Sequence, residues 1–196
     1  MDLSRVYGAL FGAAAADSVG ATFEGMTADE SRIPEMRGGG QFSIAPGEVT
    51  DDTLMMLALL ETYAEAGYFS RQLFLSKMIQ TIRARPKTFG NTTRTLASLV
   101  EQGCYPKSAA EVVHMIFGSR TNGSVMRTLP VGLTASSKEE ALSLSREVSS
   151  FSHMDEEAGD ACSAVSLAVY SLLHGKSKDE VLKAVPKKYL EGELYP

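Results

Sequence analysis

The chain has 196 residues, a net charge of −5, 44% apolar and 22% charged side chains, and no Trp. That length supports one domain with a sizeable core, and the charged fraction excludes wholesale disorder. The acidic balance excludes a basic footprint for nucleic acid. The longest basic clusters, Arg83-Ala84-Arg85-Pro86-Lys87 and Lys187-Lys188, read as solvated helix ends.

Residues 3–21 read as a buried helix with Gly8, Gly12, Ala16 and Gly20 four apart, a face along which another helix can pack closely. Residues 6–16 are apolar enough to imitate a signal peptide. The weak basic flank, with Asp2 opposing Arg5, and Asp17 just after the run favour a mature helix. Residues 26–47 are irregular, broken by Pro34, Gly38-Gly39-Gly40, Pro46 and Gly47. A loop of that length inside a compact chain is often functional.

A helix over 51–66 follows, capped by Thr50 or Asp51. It is expected to be buried nearly all round because Leu54 to Leu60 are all apolar. The next helix, 71–84, places Leu73, Phe74, Met78, Ile79 and Ile82 on one face. Shorter helices are predicted at 92–103 and 108–117, separated by Gly103 and Pro106. The turn-rich run 117–124 leads into a short apolar helix, 125–134, and residues 138–150 are amphipathic. Residues 155–174 carry the clearest stripe: Ala158, Ala161, Cys162, Val165, Ala168, Val169, Leu172 and Leu173, stopped by Gly175. A last helix, 177–184, ends at Pro186. No segment alternates with a period of two. The expectation is therefore an all-α fold, a single domain over 1–196. No run is long enough to span a membrane. Cys104 and Cys162 lack disulfide or metal spacing, and Cys162 reads as a reduced core thiol. A cytoplasmic protein is the expectation.

Thr50-Asp51-Asp52-Thr53 is the most unusual polar run. An acidic helix start explains one Asp, since Asp and Thr cap free N–H groups and suit the positive end of the dipole. It explains two Asp and two Thr less well, and hard cations take oxygen ligands of this kind. Asp17, inside an Ala-rich apolar run, needs a partner if it is buried. Glu24 alone reads as an ordinary surface residue. Asn122-Gly123-Ser124 forms a Gly turn running into a helix, whose free N–H groups suit phosphate oxygens, although such turns are usually connectors. His153, just before a helix, reads first as a capping or packing residue.

Taken in order, these features resemble the ADP-ribosylglycohydrolase family. The matching residues are Gly8-Ala9-Leu10-Phe11-Gly12 with Asp17, Gly20 and Glu24; Gly47-x-x-Thr50-Asp51-Asp52-Thr53; Gly90 with Thr92-Thr93 and Leu96; Asn122-Gly123-Ser124-x-Met126-Arg127-x-x-Pro130; and Ser152-His153. The resemblance implies a compact, orthogonal multi-helix bundle and a hydrolase that removes ADP-ribose from a modified protein or small conjugate. It implies two Mg²⁺ ions, Mn²⁺ in some members, with Thr50, Asp51 and Asp52 as metal ligands. Glu24 and Asp51 would be catalytic, with Glu24 near the scissile bond. Asn122, Gly123 and Ser124 would cradle the diphosphate or distal ribose, and His153 would line the cleft. Asp17 would support the first-helix turn.

The chain departs from the family at one place. A second acidic motif, Asp-x-Asp-Thr in a Gly-rich segment, completes the family's two-metal site. Nothing after residue 155 supplies it, and Asp155 and Asp160 do not match its spacing. The expectation is thus the N-terminal part of the family fold, with one metal site or none. The chain would be a fragment or split enzyme, a short form borrowing ligands from a partner, or a non-catalytic ADP-ribose- or metal-binding relative. An apolar face on the 51–66 helix would be left for a second copy or a complementing C-terminal fragment to cover.

Overall fold

The computed structural model describes residues 2–27, 29, 31 and 33–184. Among these the protein is all-α, as expected. The one β feature is an isolated bridge between Gly39 and Ile44. The helices are α1 (Leu3–Gly20), α2 (Asp51–Ala66), α3 (Arg71–Ala84), α4 (Asn91–Glu101), α5 (Pro106–Phe117), α6 (Leu129–Thr134), α7 (Lys138–Ser150), α8 (Glu156–Leu173) and α9 (Lys178–Ala184). Pro186 and Lys187-Lys188 lie outside the described residues.

The caps follow from the sequence. Ser70, Ser137 and Asp155 each accept a backbone N–H at the start of α3, α7 and α8. Gly67 and Gly118 close α2 and α5 in the left-handed conformation. The helix expected at 125–134 is two pieces. A 3₁₀ turn, Asn122–Arg127, starts earlier, and α6 begins only after Thr128. Pro130 explains the break: it has no N–H to continue the first helix, yet it suits the opening turn of α6.

α2 runs through the centre, packed by α1, α3, α6 and the 3₁₀ turn. Met55, Leu59, Phe74, Met78, Leu96, Val113, Val131 and Val148 are fully buried in one core. Phe69, Phe74 and Phe151 meet edge to face or tilted at 5.3–6.1 Å. α8 packs on α6 and α7 through small residues. A Cβ on Gly132 would sit 2.5 Å from Ser166 O and 2.7 Å from Val169 Cβ, so only Gly permits this approach.

Three burial expectations change. α1 is not a buried helix: only Ser18 is buried, Leu3, Tyr7 and Phe11 are exposed, and a Cβ on Gly8, Gly12 or Gly20 would meet nothing within 4 Å. Its small-residue face has no packing partner among the described residues, because α1 turns the face with Val6, Leu10, Ala13 and Ala14 inward, and these are half-buried. α2 leaves no apolar face open. Of Leu54 to Leu60 only Leu57 is exposed, since neighbours enclose the helix on its other sides. Among the described residues, exposed large apolar side chains gather on α1, at Leu3, Tyr7 and Phe11, and at the end of α5, at Met115, Ile116 and Phe117. In α8 the buried side mixes Ala158 and Cys162 with Gly159, Ser163 and Ser166, while Val165 and Leu172 are exposed. Close helix contact selected the small residues over the larger apolar ones.

Candidate active site

The loop after α1 folds back on itself. Gly40, at φ 67°, lies so close to the end of α1 that a Cβ would sit 2.6 Å from Ala21 O. This brings the Gln41 side chain beside Glu24, whose charged form it favours.

At the N-terminus of α2, Thr50 is the cap and is buried. Asp17 reaches this end from the last turn of α1. Its Oδ2 accepts from Thr50 N–H at 2.9 Å, Thr53 N–H at 3.2 Å and the Thr53 hydroxyl at 2.6 Å. Its Oδ1 accepts from the Thr50 hydroxyl at 2.6 Å. Thr50 Oγ1 also lies 3.2 Å from Asp52 Oδ2. The partner that Asp17 needed is therefore the start of α2 rather than the turn of its own helix.

Glu24, Asp51 and Asp52 collect around this cap and repel one another. Burial, then the charge of Asp52, raises the Asp51 carboxyl to about 7. Burial and the charge of Asp17 raise Asp52. Burial, then Asp52 and Asp17, raises the exposed Glu24. The site is thus a pocket of oxygen donors with excess negative charge, and that donor set fits a hard divalent cation. Among the described residues, no three His, Cys, Asp or Glu side chains form a ready metal-ligand group.

The 3₁₀ turn Asn122–Arg127 packs against both α2 and α8. Asn122 is exposed and Gly123 half-buried. Ser124 is fully buried, backbone included, with its hydroxyl 2.9 Å from Ser149 Oγ and 3.3 Å from Cys162 Sγ. His153 is also buried. A Cβ on Gly123 would sit 3.0 Å from its ring, so Gly123 is what lets the imidazole lie against the loop. Both ring nitrogens have partners: Ser152 Oγ at 2.7 Å from Nδ1 and Thr121 Oγ1 at 2.9 Å from Nε2.

Beneath the loop lies Arg127, fully buried. Its Nη2 donates to Val148 O at 2.7 Å and Ser152 Oγ at 2.9 Å, and Nη1 donates to Gly123 O at 3.3 Å. The guanidinium stands 5.6 Å over the Phe74 ring. No carboxylate pairs with it among the described residues. Burial lowers its pKa to about 10, which leaves it charged at neutral pH. Burial and this charge push His153 down to about 3.

Sequence reasoning placed Arg127 in a motif without a role, and passed over Thr121 and Ser119. Ser119 is buried at φ 51° with an unpartnered hydroxyl. Neither residue differs by type from ordinary turn residues, so only their neighbours mark them. A cavity of about 770 Å³ between Arg71, Leu75, Tyr105, Lys107, Phe151 and Met154 shares no residue with this site.

An all-α frame with an acidic, hydroxyl-bearing helix start beside a Gly turn defines the class. The chain belongs to the ADP-ribosylglycohydrolase family, whose model matches residues 1–195. The ADP-ribosylarginine hydrolase Tri1 of Pseudomonas putida (strain GB-1) is 32% identical over 197 residues, covering 92% of this chain and 50% of that protein. The ADP-ribosyl-[dinitrogen reductase] glycohydrolase of Rhodospirillum rubrum is 33% identical over 135 residues, covering 66% of this chain and 44% of that protein. A solved structure described as an ADP-ribosylglycohydrolase-related protein complex superposes with a TM-score of 0.77 at 27% identity, covering 98% of this chain and 63% of that one. The chain thus spans at most half the length of these two curated relatives. No helix among the described residues is long and apolar enough to cross a membrane.

Proposed function

We propose that this chain supplies the N-terminal part of a site that hydrolyses the glycosidic bond between ADP-ribose and an acceptor on a modified protein. The observation that carries it is the Glu24, Asp51 and Asp52 cluster, held by Asp17 at the start of α2, the helix on which the Asn122–Arg127 turn packs. Relatives named for ADP-ribosylarginine and ADP-ribosyl-dinitrogen reductase support an ADP-ribosylated protein as substrate.

Asp51, Asp52 and Thr50 would hold Mg²⁺ or Mn²⁺. The bound ion would supply positive charge that offsets the carboxylates and polarises the distal ribose hydroxyls. Asn122 and the backbone N–H of Gly123 would bind and orient the ADP-ribosyl group, with the buried Ser124 supporting the turn from beneath. Glu24, exposed at the edge of the cluster, would take the proton of the water that attacks the anomeric carbon as the bond to the acceptor breaks.

The rival reading is a relative that binds ADP-ribose or one metal without turnover. It is favoured by the lack of a ready three-ligand group among the described residues. The test is release of ADP-ribose from an arginine-modified protein with Mg²⁺, comparing the chain with Asp51→Asn. Release by the chain and not by the variant supports hydrolysis. Binding of ADP-ribose without release supports the rival. Equal release by both overturns the role of Asp51.

A further inference from the structure

The hydrogen bonds under the Asn122–Ser124 turn have a fixed direction. A guanidinium only donates, so Arg127 Nη2 gives a hydrogen to Ser152 Oγ at 2.9 Å. Ser152 is fully buried, and its hydroxyl has one other partner, His153 Nδ1 at 2.7 Å. A hydroxyl hydrogen turned elsewhere would be a buried donor without an acceptor, which folded proteins avoid. The Ser152 hydrogen therefore goes to Nδ1, and Nδ1 is the bare nitrogen.

His153 is neutral, because burial and the Arg127 charge lower its pKa to about 3. Its single ring hydrogen then sits on Nε2, which donates to Thr121 Oγ1 at 2.9 Å. Having accepted, the Thr121 hydroxyl keeps its own hydrogen. Thr121 is exposed and has no other hydrogen bond among the described residues.

We propose that Thr121 contacts the bound ADP-ribosyl group directly, donating its hydroxyl hydrogen to an oxygen of that group. His153 is a positioning residue that aims Thr121 through the one-way relay Arg127, Ser152, His153, Thr121. The proposal rests on the ADP-ribose reading above and assigns His153 a role behind the contact surface. With both nitrogens engaged and its ring buried, His153 has no free polar edge to offer a ligand.

Two measurements on the full chain test it. The ring nitrogens of ¹⁵N-labelled His153 are read by two-bond ¹⁵N–¹H correlation at neutral pH. A protonated Nε2 and bare Nδ1 are expected; a protonated Nδ1 or a doubly protonated ring overturns the relay. ADP-ribose is then titrated calorimetrically, with Mg²⁺ present, into the wild type, Thr121→Val and Thr121→Ser, each well below its unfolding midpoint. The Val variant is expected to bind about three- to tenfold more weakly, the worth of one neutral hydrogen bond, with Ser restoring binding to about twofold of wild type. Equal affinity of Val and wild type overturns the role of Thr121 and leaves the ADP-ribose reading standing. No binding by the wild type overturns that reading, and the acceptor of Thr121 with it, whatever tautomer His153 shows.

Discussion

Asp17 caps a helix it does not belong to: from the last turn of α1 it accepts four hydrogen bonds from Thr50 and Thr53 at the start of α2. One carboxylate thereby ties α1 to the central helix and orients the threonines beside Asp51 and Asp52. Asp17→Ala leaves two N–H groups and two hydroxyls without their acceptor. A loss of about 2–4 kcal/mol is expected. In a chain of this size that lowers the thermal midpoint by about 5–15 °C, read by calorimetry. A shift below about 2 °C would show that the cap carries no stability.

The acidic cluster makes stability depend on pH. Asp51 titrates near 7 when folded, against an ordinary value of 3.8. Between those values the folded chain keeps a proton that the unfolded chain has released. Stability therefore falls as pH rises from about 4 to about 7, and the cost is fully present above that window. Asp51→Asn is expected to stabilise the protein at pH 8 by on the order of 2 kcal/mol and to do little at pH 4, as followed by urea unfolding. A variant equally stabilised, or destabilised, at both values would contradict the repulsion.

Mg²⁺ should relieve the same repulsion. At pH 8, millimolar Mg²⁺ is expected to raise the midpoint of the wild type by about 2–5 °C and that of Asp51→Asn by less than half as much. Identical shifts in the two proteins would place the ion elsewhere.

Gly123→Ala would put a methyl 3.0 Å from the buried His153 ring. The ring has little room to give way, because Ser152, itself held by Arg127, grips it at Nδ1. A destabilisation of about 1–3 kcal/mol is expected, together with loss of ADP-ribose binding in the titration above. Unchanged His153 resonances in the variant would show the loop to be pliant.

α1 offers the contrasting case. Phe11 is 73% exposed, and Tyr7 beside it is the nearest ring, at 6.5 Å. Phe11→Lys is expected to move the midpoint of this chain by no more than about 2 °C. A large drop would mean that the outer face of α1 is packed in solution.

The helices were legible because their signals are local. Apolar spacing, with Thr50 as a cap for α2, placed α2, α3 and α7 to the residue. Thr50-Asp51-Asp52-Thr53 was legible as an odd polar run for the same reason: two carboxylates and two hydroxyls at the head of an apolar helix stand out in one dimension. The direction of burial was not legible for α1 or α8. A stripe of small residues reads the same whether a neighbour packs on it, as Gly132 on Ser166, or nothing does, as at Gly8 and Gly12.

What the sequence determined by itself is the all-α fold, the ordered motifs and the acidic helix start, because each depends on residues a few positions apart. The tertiary structure decided that Asp17 serves α2 across 33 residues, that Glu24 shares a field with Asp51 and Asp52, and that His153 is buried between Thr121 and Ser152. Those relations turn on distances of about 3 Å between segments far apart in the chain. Spacing along a sequence does not carry them.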